Sequence, residues 1–276
     1  MRMFYRGTRK GTDEWTHYLH GPDNNATAND QVVDEPFHIQ WTGGPKWARH
    51  HNYLASTSAM VSSGGRMFAI VDEGPASTLN LSSQWSLVAR DAYNGLVLWK
   101  RPIPLWEGQM RPFRSGPTDL PRRLVAKGDR VYATLGYGEP VVALDAATGE
   151  ILHSYEGTEG ATEIVLCDGS LHIVAGVVNA DAMAEAAARR GASPPPRNKW
   201  IITFDAASGD LLWKIEGADV NAILPTTLCT DGTLLAFQNP RELICYDADS
   251  GELVWRADRL CRSQRMGWST PTVVIK

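Results

Sequence analysis

The sequence predicts an all-β fold built from repeated four-stranded units, and three observations carry that prediction. A nine-residue phrase occurs four times: Asp91-Ala-Tyr-Asn-Gly95-Leu-Val-Leu-Trp99, Asp145-Ala-Ala-Thr-Gly149-Glu-Ile-Leu-His153, Asp205-Ala-Ala-Ser-Gly209-Asp-Leu-Leu-Trp213 and Asp247-Ala-Asp-Ser-Gly251-Glu-Leu-Val-Trp255. In each, Gly follows Asp by four positions and an aromatic ring follows it by eight. The copies lie 54 residues apart from Asp91 to Asp145, then 60 to Asp205 and 42 to Asp247. Second, a two-residue turn and an apolar run precede each phrase, at Gly64-Gly65, Gly128-Asp129, Asp168-Gly169 and Asp231-Gly232. Third, helical patterning is scarce, with one candidate at Asp181–Arg190, stopped by Gly191 and Pro194-Pro195-Pro196. A local pattern recurring at this kind of period marks the blades of a β-propeller.

Each part of a blade has a physical reason. The Asp carboxylate accepts backbone N–H groups two or three residues on and closes a turn, and Gly supplies the positive φ that turn needs. Strand-like runs flank it, such as Val141–Leu144 before and Ile151-Leu152 after, so the phrase joins the third and fourth strands. The Gly-containing pairs upstream join the first and second. Apolar segments such as Thr162–Cys167 and Leu224–Cys229 then read as first strands. The blades fall at about 58–103, 122–156, 161–217 and 222–258. Residues 37–276 are expected to form a partial propeller of about four blades. Phe37–Trp41 reads as a fourth strand whose blade is otherwise absent, and residues 268–276 as the first strand of a further blade. Residues 1–36 match no blade and read as a leading segment, the tail of a preceding domain.

Composition narrows the partners. Hydrophobic residues make up 43% and charged residues 21% of 276, enough for a buried core. A net charge of −4 argues against nucleic acid, which requires a concentrated basic face. No run of about 18 apolar residues is present, and the basic start Met1–Lys10 lacks the apolar stretch of a signal peptide. Cys167, Cys229, Cys245 and Cys261 form no CxxC pair and read as unpaired thiols, two of them ending inner strands.

The four phrases resemble the PQQ-binding-like, quinoprotein-type propeller repeat, named for pyrroloquinoline quinone. That family covers bacterial quinoprotein dehydrogenases and lipoprotein propellers that assist outer-membrane assembly. Asp91, Gly95 and Trp99, with Asp145, Gly149 and His153, Asp205, Gly209 and Trp213, and Asp247, Gly251 and Trp255, are similar to its tryptophan-docking motif. His153 departs from it, which weakens one contact between blades. The resemblance runs from about Phe37 to Lys276. It implies a ring of seven or eight blades, the missing ones expected from the rest of the chain; a five-bladed ring closed by both termini is the alternative. It also implies a periplasmic or cell-envelope location.

Strand parity places the long insertions, Glu73–Gln84, Arg101–Arg123 and Gly176–Lys199, on one face, opposite the short glycine turns. Binding residues tend to sit on long loops of a rigid scaffold. There Trp106, Arg111, Phe113, Arg114, Arg122 and Arg123 form a candidate ligand-binding set, since guanidinium forks suit carboxylates and rings stack. The same arginines equally fit a solvated loop that pairs with acids and covers Trp106. His17 and His20 lack the spacing and third ligand of a catalytic zinc site, and Asp23–Asp30 lacks the sixth-position Gly of a calcium loop. No catalytic set is legible. The expected function is therefore a non-catalytic scaffold that binds a protein, peptide or glycan, with no cofactor. The alternative is a fragment of a PQQ- and calcium-dependent oxidoreductase acting on alcohols or aldehydes. Relatives of that kind carry vicinal cysteines, which this chain lacks.

Overall fold

The computed structural model describes residues 10–32, 38–44, 56–75, 83–104, 120–136, 138–178, 197–261 and 271–276. They form four antiparallel four-stranded sheets, each in sequential order. Blade 1 contains β1 (Thr57–Ser63), β2 (Arg66–Asp72), β3 (Trp85–Asp91) and β4 (Val97–Pro102). Blade 2 contains β5 (Leu124–Lys127), β6 (Arg130–Thr134), β7 (Val141–Asp145) and β8 (Ile151–Tyr155). Blade 3 contains β9 (Glu163–Cys167), β10 (Ser170–Val177), β11 (Arg197–Asp205) and β12 (Leu211–Glu216). Blade 4 contains β13 (Cys229–Thr230), β14 (Leu234–Gln238), β15 (Glu242–Asp247) and β16 (Leu253–Asp258). The first strands meet across blades, β1 against β5, β5 against β9 and β9 against β13, so they line the axis, while β16 is exposed along its whole length.

The core lies between the blades. Along β7, Val141 and Ala143 pack with Ile164, Ile173 and Phe204 of blade 3, whereas Val142 and Leu144 pack with Phe68, Ile70 and Leu87 of blade 1. Period-two alternation thus gives each sheet two apolar faces, one for each neighbour. Leu235, Phe237 and Ile244 repeat the arrangement between blades 3 and 4.

The repeated phrase makes the same joint each time. Asp145 Oδ1 accepts the N–H groups of Ala147 and Thr148, both at 2.8 Å, and Gly149 N–H returns to the Asp145 carbonyl at 2.8 Å with φ 74°. Asp91, Asp205 and Asp247 hold their turns in the same way. The backbone N–H of Thr148 pulls the Asp145 carboxyl below the ordinary range, and those of Ser208 and Ser250 do the same for Asp205 and Asp247.

A ring from earlier in the chain covers each Gly. Trp41, Trp99 and Trp213 cover Gly95, Gly149 and Gly251, and their Nε1–H groups donate to the carbonyls of Ala92, Ala146 and Ala248 at 2.9, 3.0 and 3.0 Å. At the joint of blades 2 and 3, His153 covers Gly209 instead, and the Ala206 carbonyl is served by the Tyr155 hydroxyl at 2.9 Å and by Arg130 Nη1 at 2.7 Å. The departure at His153 is therefore made good by two neighbours. Trp255, last in the series, remains 41% exposed.

Several expectations need correction. Leu224–Cys229 is not a full strand: β13 has two residues, because Thr226 takes a left-handed φ of 66° and the N–H groups of Thr226 and Leu228 turn to the Glu163 carboxylate. Residues 38–41 carry no strand, although Trp41 takes the place of a fourth-strand ring. A 3₁₀ turn at Leu120–Arg123 and a short helix at Ala218–Asn221 were not foreseen. The helix expected at Asp181–Arg190 lies outside the described residues.

Gly149→Ala should be costly. Its Cβ would meet Trp99 at 2.6 Å, so overpacking of about 1–3 kcal/mol adds to about 1–2 kcal/mol for a left-handed backbone. Gly128→Ala, with φ 60° and nothing within 4 Å, should show the backbone cost alone. Urea midpoints of the two variants measure the difference.

Candidate functional site

The segment that matched no blade turns out to tie the blades together. Residues 14–24 cross the inner strands in order. Trp15 carbonyl accepts Ser62 N–H of β1 at 2.7 Å, and Thr16 carbonyl accepts Ala126 N–H of β5 at 3.0 Å. His17 Nε2 accepts Leu166 N–H of β9 at 3.0 Å, and Pro22 carbonyl accepts Thr230 N–H of β13 at 3.0 Å. Asp23 carbonyl then accepts Ile275 N–H at 3.2 Å, although residues 271–276, expected within the first strand of a further blade, carry no strand. Val273 and Ile275 cover Cys229, Ala236 and Cys245. Residues 14–24 thus run as an inner strap across the four blades.

His17 is buried and its tautomer follows from its partners. A peptide N–H donates to Nε2, so Nδ1 carries the proton and donates to Thr16 Oγ1 at 2.7 Å, whose hydroxyl donates to the His20 carbonyl at 3.1 Å. Burial, with the nearby cations of Arg122 and Lys127, pushes its pKa down to about 3. His172 is buried beside Trp213 with Nδ1 2.8 Å from Thr203 Oγ1, and burial pushes it down to about 4.

Behind the strap lies a buried ionic knot. Arg122 Nη2 donates to Glu163 Oε2 at 3.1 Å and to the Leu228 carbonyl at 2.9 Å, while Nη1 donates to Asn24 Oδ1 at 2.6 Å. Asn24 Nδ2 donates to the carbonyls of Leu228 and Val273, both at 3.0 Å. Burial raises the Glu163 carboxyl, and Arg122 with the N–H groups of Thr226 and Leu228 pulls it back. Arg122 and Arg123, expected on an exposed ligand loop, are buried in the 3₁₀ turn at 3% and 4% exposure. The basic pair Arg122-Arg123 reads as a surface feature in sequence because its acid lies 41 residues away. Trp106, Arg111, Phe113 and Arg114 lie outside the described residues.

A cavity of about 430 Å³ opens beside the strap, on the face of the short turns. Thr16, His17 and Pro22 form one wall, Lys127, Arg130 and Tyr132 of blade 2 the next, and Leu166–Gly169 with Ala206 and Ala207 the rest. A second, of about 400 Å³, lies between Val177, Lys199, Trp200 and Asn221 on the other face. Burial pushes the Cys167 thiol in the first cavity up to about 11 and Cys229 to about 12, so both are poor nucleophiles. Cys167, Cys229 and Cys245 are free thiols.

Among the described residues, those along the axis offer no uncommitted ligand set for a calcium–quinone pair. Their buried carboxylate, Glu163, is held by a guanidinium and two peptide N–H groups, and their buried imidazole is committed to a backbone bond. Among the described residues no group of three or more His, Cys, Asp or Glu side chains is arranged to hold a metal ion.

With this geometry, comparisons with known proteins define the class. A family model described as outer membrane protein assembly factor BamB matches residues 9–190 and 197–273, and the chain belongs to that family of PQQ-like propellers. Among solved structures, it is similar to a quinohemoprotein alcohol dehydrogenase from Comamonas testosteroni, at 14% identity and TM-score 0.57, covering 90% of this chain and 41% of that one. A europium-containing methanol dehydrogenase gives 11% identity and TM-score 0.55, covering 92% of this chain and 50% of that one. BamB from Moraxella catarrhalis gives 14% identity and TM-score 0.37 over 75% of this chain and 66% of that one. The chain thus spans half or less of the two dehydrogenases, and the likeness to them is one of fold. No protein of curated function matches the sequence. No helix among the described residues is long and apolar enough to cross a membrane.

Two stability predictions follow from the buried groups. Glu163→Gln leaves the Arg122 guanidinium buried without a counter-charge and should cost about 3–5 kcal/mol in chemical denaturation. The low pKa values of His17 and His172 mean that the unfolded chain takes up protons the folded one refuses. Stability should therefore fall as pH drops below about 6.5, by up to about 1.4 kcal/mol per pH unit for each histidine, until the folded values near 3 and 4 are reached. Urea titrations at pH 7.5, 6 and 5 would measure this slope.

Proposed function

We propose that this chain is a non-catalytic binding propeller of the cell envelope, which holds a protein partner within a larger assembly. One observation carries the reading: the polar groups along the axis, where the family's dehydrogenases would hold PQQ and calcium, are consumed by the strap and by the Arg122–Glu163 knot. The family description as an assembly factor supports a protein partner and an envelope location. Peptide and glycan remain ligand classes that a rigid scaffold with long loops can serve. Trp106, Arg111, Phe113 and Arg114 are the insertion-side residues proposed to meet the partner, and Arg122 and Arg123 are not among them.

The oxidoreductase reading draws on the fold likeness to the dehydrogenases. PQQ fluorescence titration with calcium, paired with alcohol-dependent dye reduction, separates the two. The expected outcome is neither saturable micromolar binding nor turnover; tight PQQ binding with calcium-dependent dye reduction would sink the scaffold reading. A photo-crosslinker at position 113 should capture an envelope protein, and Arg111→Glu with Arg114→Glu should weaken that capture while leaving the urea midpoint unchanged.

A further inference from the structure

The cavity beside the strap sets two cations face to face across a hairpin. In the β5–β6 hairpin, Lys127 and Arg130 are direct cross-strand partners. Like charges placed opposite each other destabilise an antiparallel pair. The equivalent closing pairs in the other blades are Ser63 with Arg66, Cys167 with Ser170 and Thr230 with Leu235, so only blade 2 opposes two cations. Arg130 is the better engaged of the two, since its Nη1 donates to the carbonyls of Ala206 and Ala207 and the Asp205 carboxylate attracts it. Lys127 is exposed, and no carboxylate among the described residues lies within ion-pair distance of its ammonium. Both line the cavity, whose other walls carry Pro22, Leu166 and Tyr132, with the Asp168 carboxylate at the blade 3 turn.

We infer that this cavity binds a carboxylate carried on an apolar stem, the carboxylate meeting Lys127 and Arg130 and the stem lying against Pro22, Leu166 and Tyr132. An anion between the two cations replaces their repulsion by two charge-assisted contacts. A volume of about 430 Å³ admits a ligand of small-molecule size or the last residues of a polypeptide. The inference deepens the reading of the chain as a binding propeller and adds a second contact region, on the face of the short turns. A free organic acid and the C-terminus of a partner polypeptide share this chemistry.

Two probes distinguish those sources in calorimetric titrations of the full chain: 4-phenylbutyrate, and the peptide Ala-Gly-Leu-Phe as free acid and as C-terminal amide. The expected Kd for the small acid is on the order of 1 mM, as befits a ligand of this size. Binding of 4-phenylbutyrate alone assigns the site to free acids, and binding of the peptide acid alone assigns it to a polypeptide terminus. Lys127→Ala should weaken binding at least about tenfold, the loss of one charge-assisted contact. It should also leave the urea midpoint unchanged or raised, because it removes the cross-strand repulsion. A residue kept only for folding would give the opposite change in stability. Failure of both probes to bind, equal binding of acid and amide, or undiminished binding to Lys127→Ala would each overturn the inference. PQQ binding and dye reduction are read independently, so the scaffold reading can stand if this site fails.

Discussion

One guanidinium ties the strap to blades 3 and 4 from the turn that enters blade 2. Arg122 rises from the 3₁₀ turn that enters blade 2, meets Glu163 on the inner strand of blade 3, reaches the Leu228 carbonyl at the entry to blade 4 and holds Asn24 of the strap. A buried ion pair is a weak source of net stability, because both ions lose their hydration. Its effect here is on specificity of position. The carboxylate gathers Arg122 and the N–H groups of Thr226 and Leu228 to one point, and blade 4 starts where those contacts allow. The brevity of β13 is a direct result.

Around that centre the blades are joined by a device that tolerates substitution. Asp closes a turn, Gly opens its upper surface, and a ring from the blade before lies on it with a hydrogen bond to a fixed carbonyl. Where His153 replaces Trp, the ring contact persists and Tyr155 and Arg130 take over the carbonyl. What must be preserved is a flat group on the Gly and a donor at the carbonyl, and these can come from different residues.

This division explains what the sequence discloses. The blades were legible because turn chemistry and alternation are local: Asp145, Gly149 and the run Val141–Leu144 state their roles within a few positions of each other. The strap and the knot were not. Asp13–Asn25 has no period, since it crosses strands one residue at a time, and its partners lie as far off as Val273. Arg122-Arg123 looks like a solvated basic pair until Glu163 is placed beside it. The cavity was equally invisible, being assembled from three separated turns and the strap, although the opposition of Lys127 and Arg130 across a two-residue turn is a signal that strand pairing would have revealed.

The strap also sets an order of events in biosynthesis. Asn24 leaves the ribosome before its carbonyl partners at Leu228 and Val273, which follow 204 and 249 residues later. At roughly 5–20 residues per second, translation takes on the order of 10–50 s to deliver the last of them. Blades form from neighbours in sequence and can assemble as they emerge, whereas contacts of such long separation wait for the loop to close. During that interval the inner strands present unpaired N–H groups with the strap still free, a state in which chaperone protection counts for more than native stability.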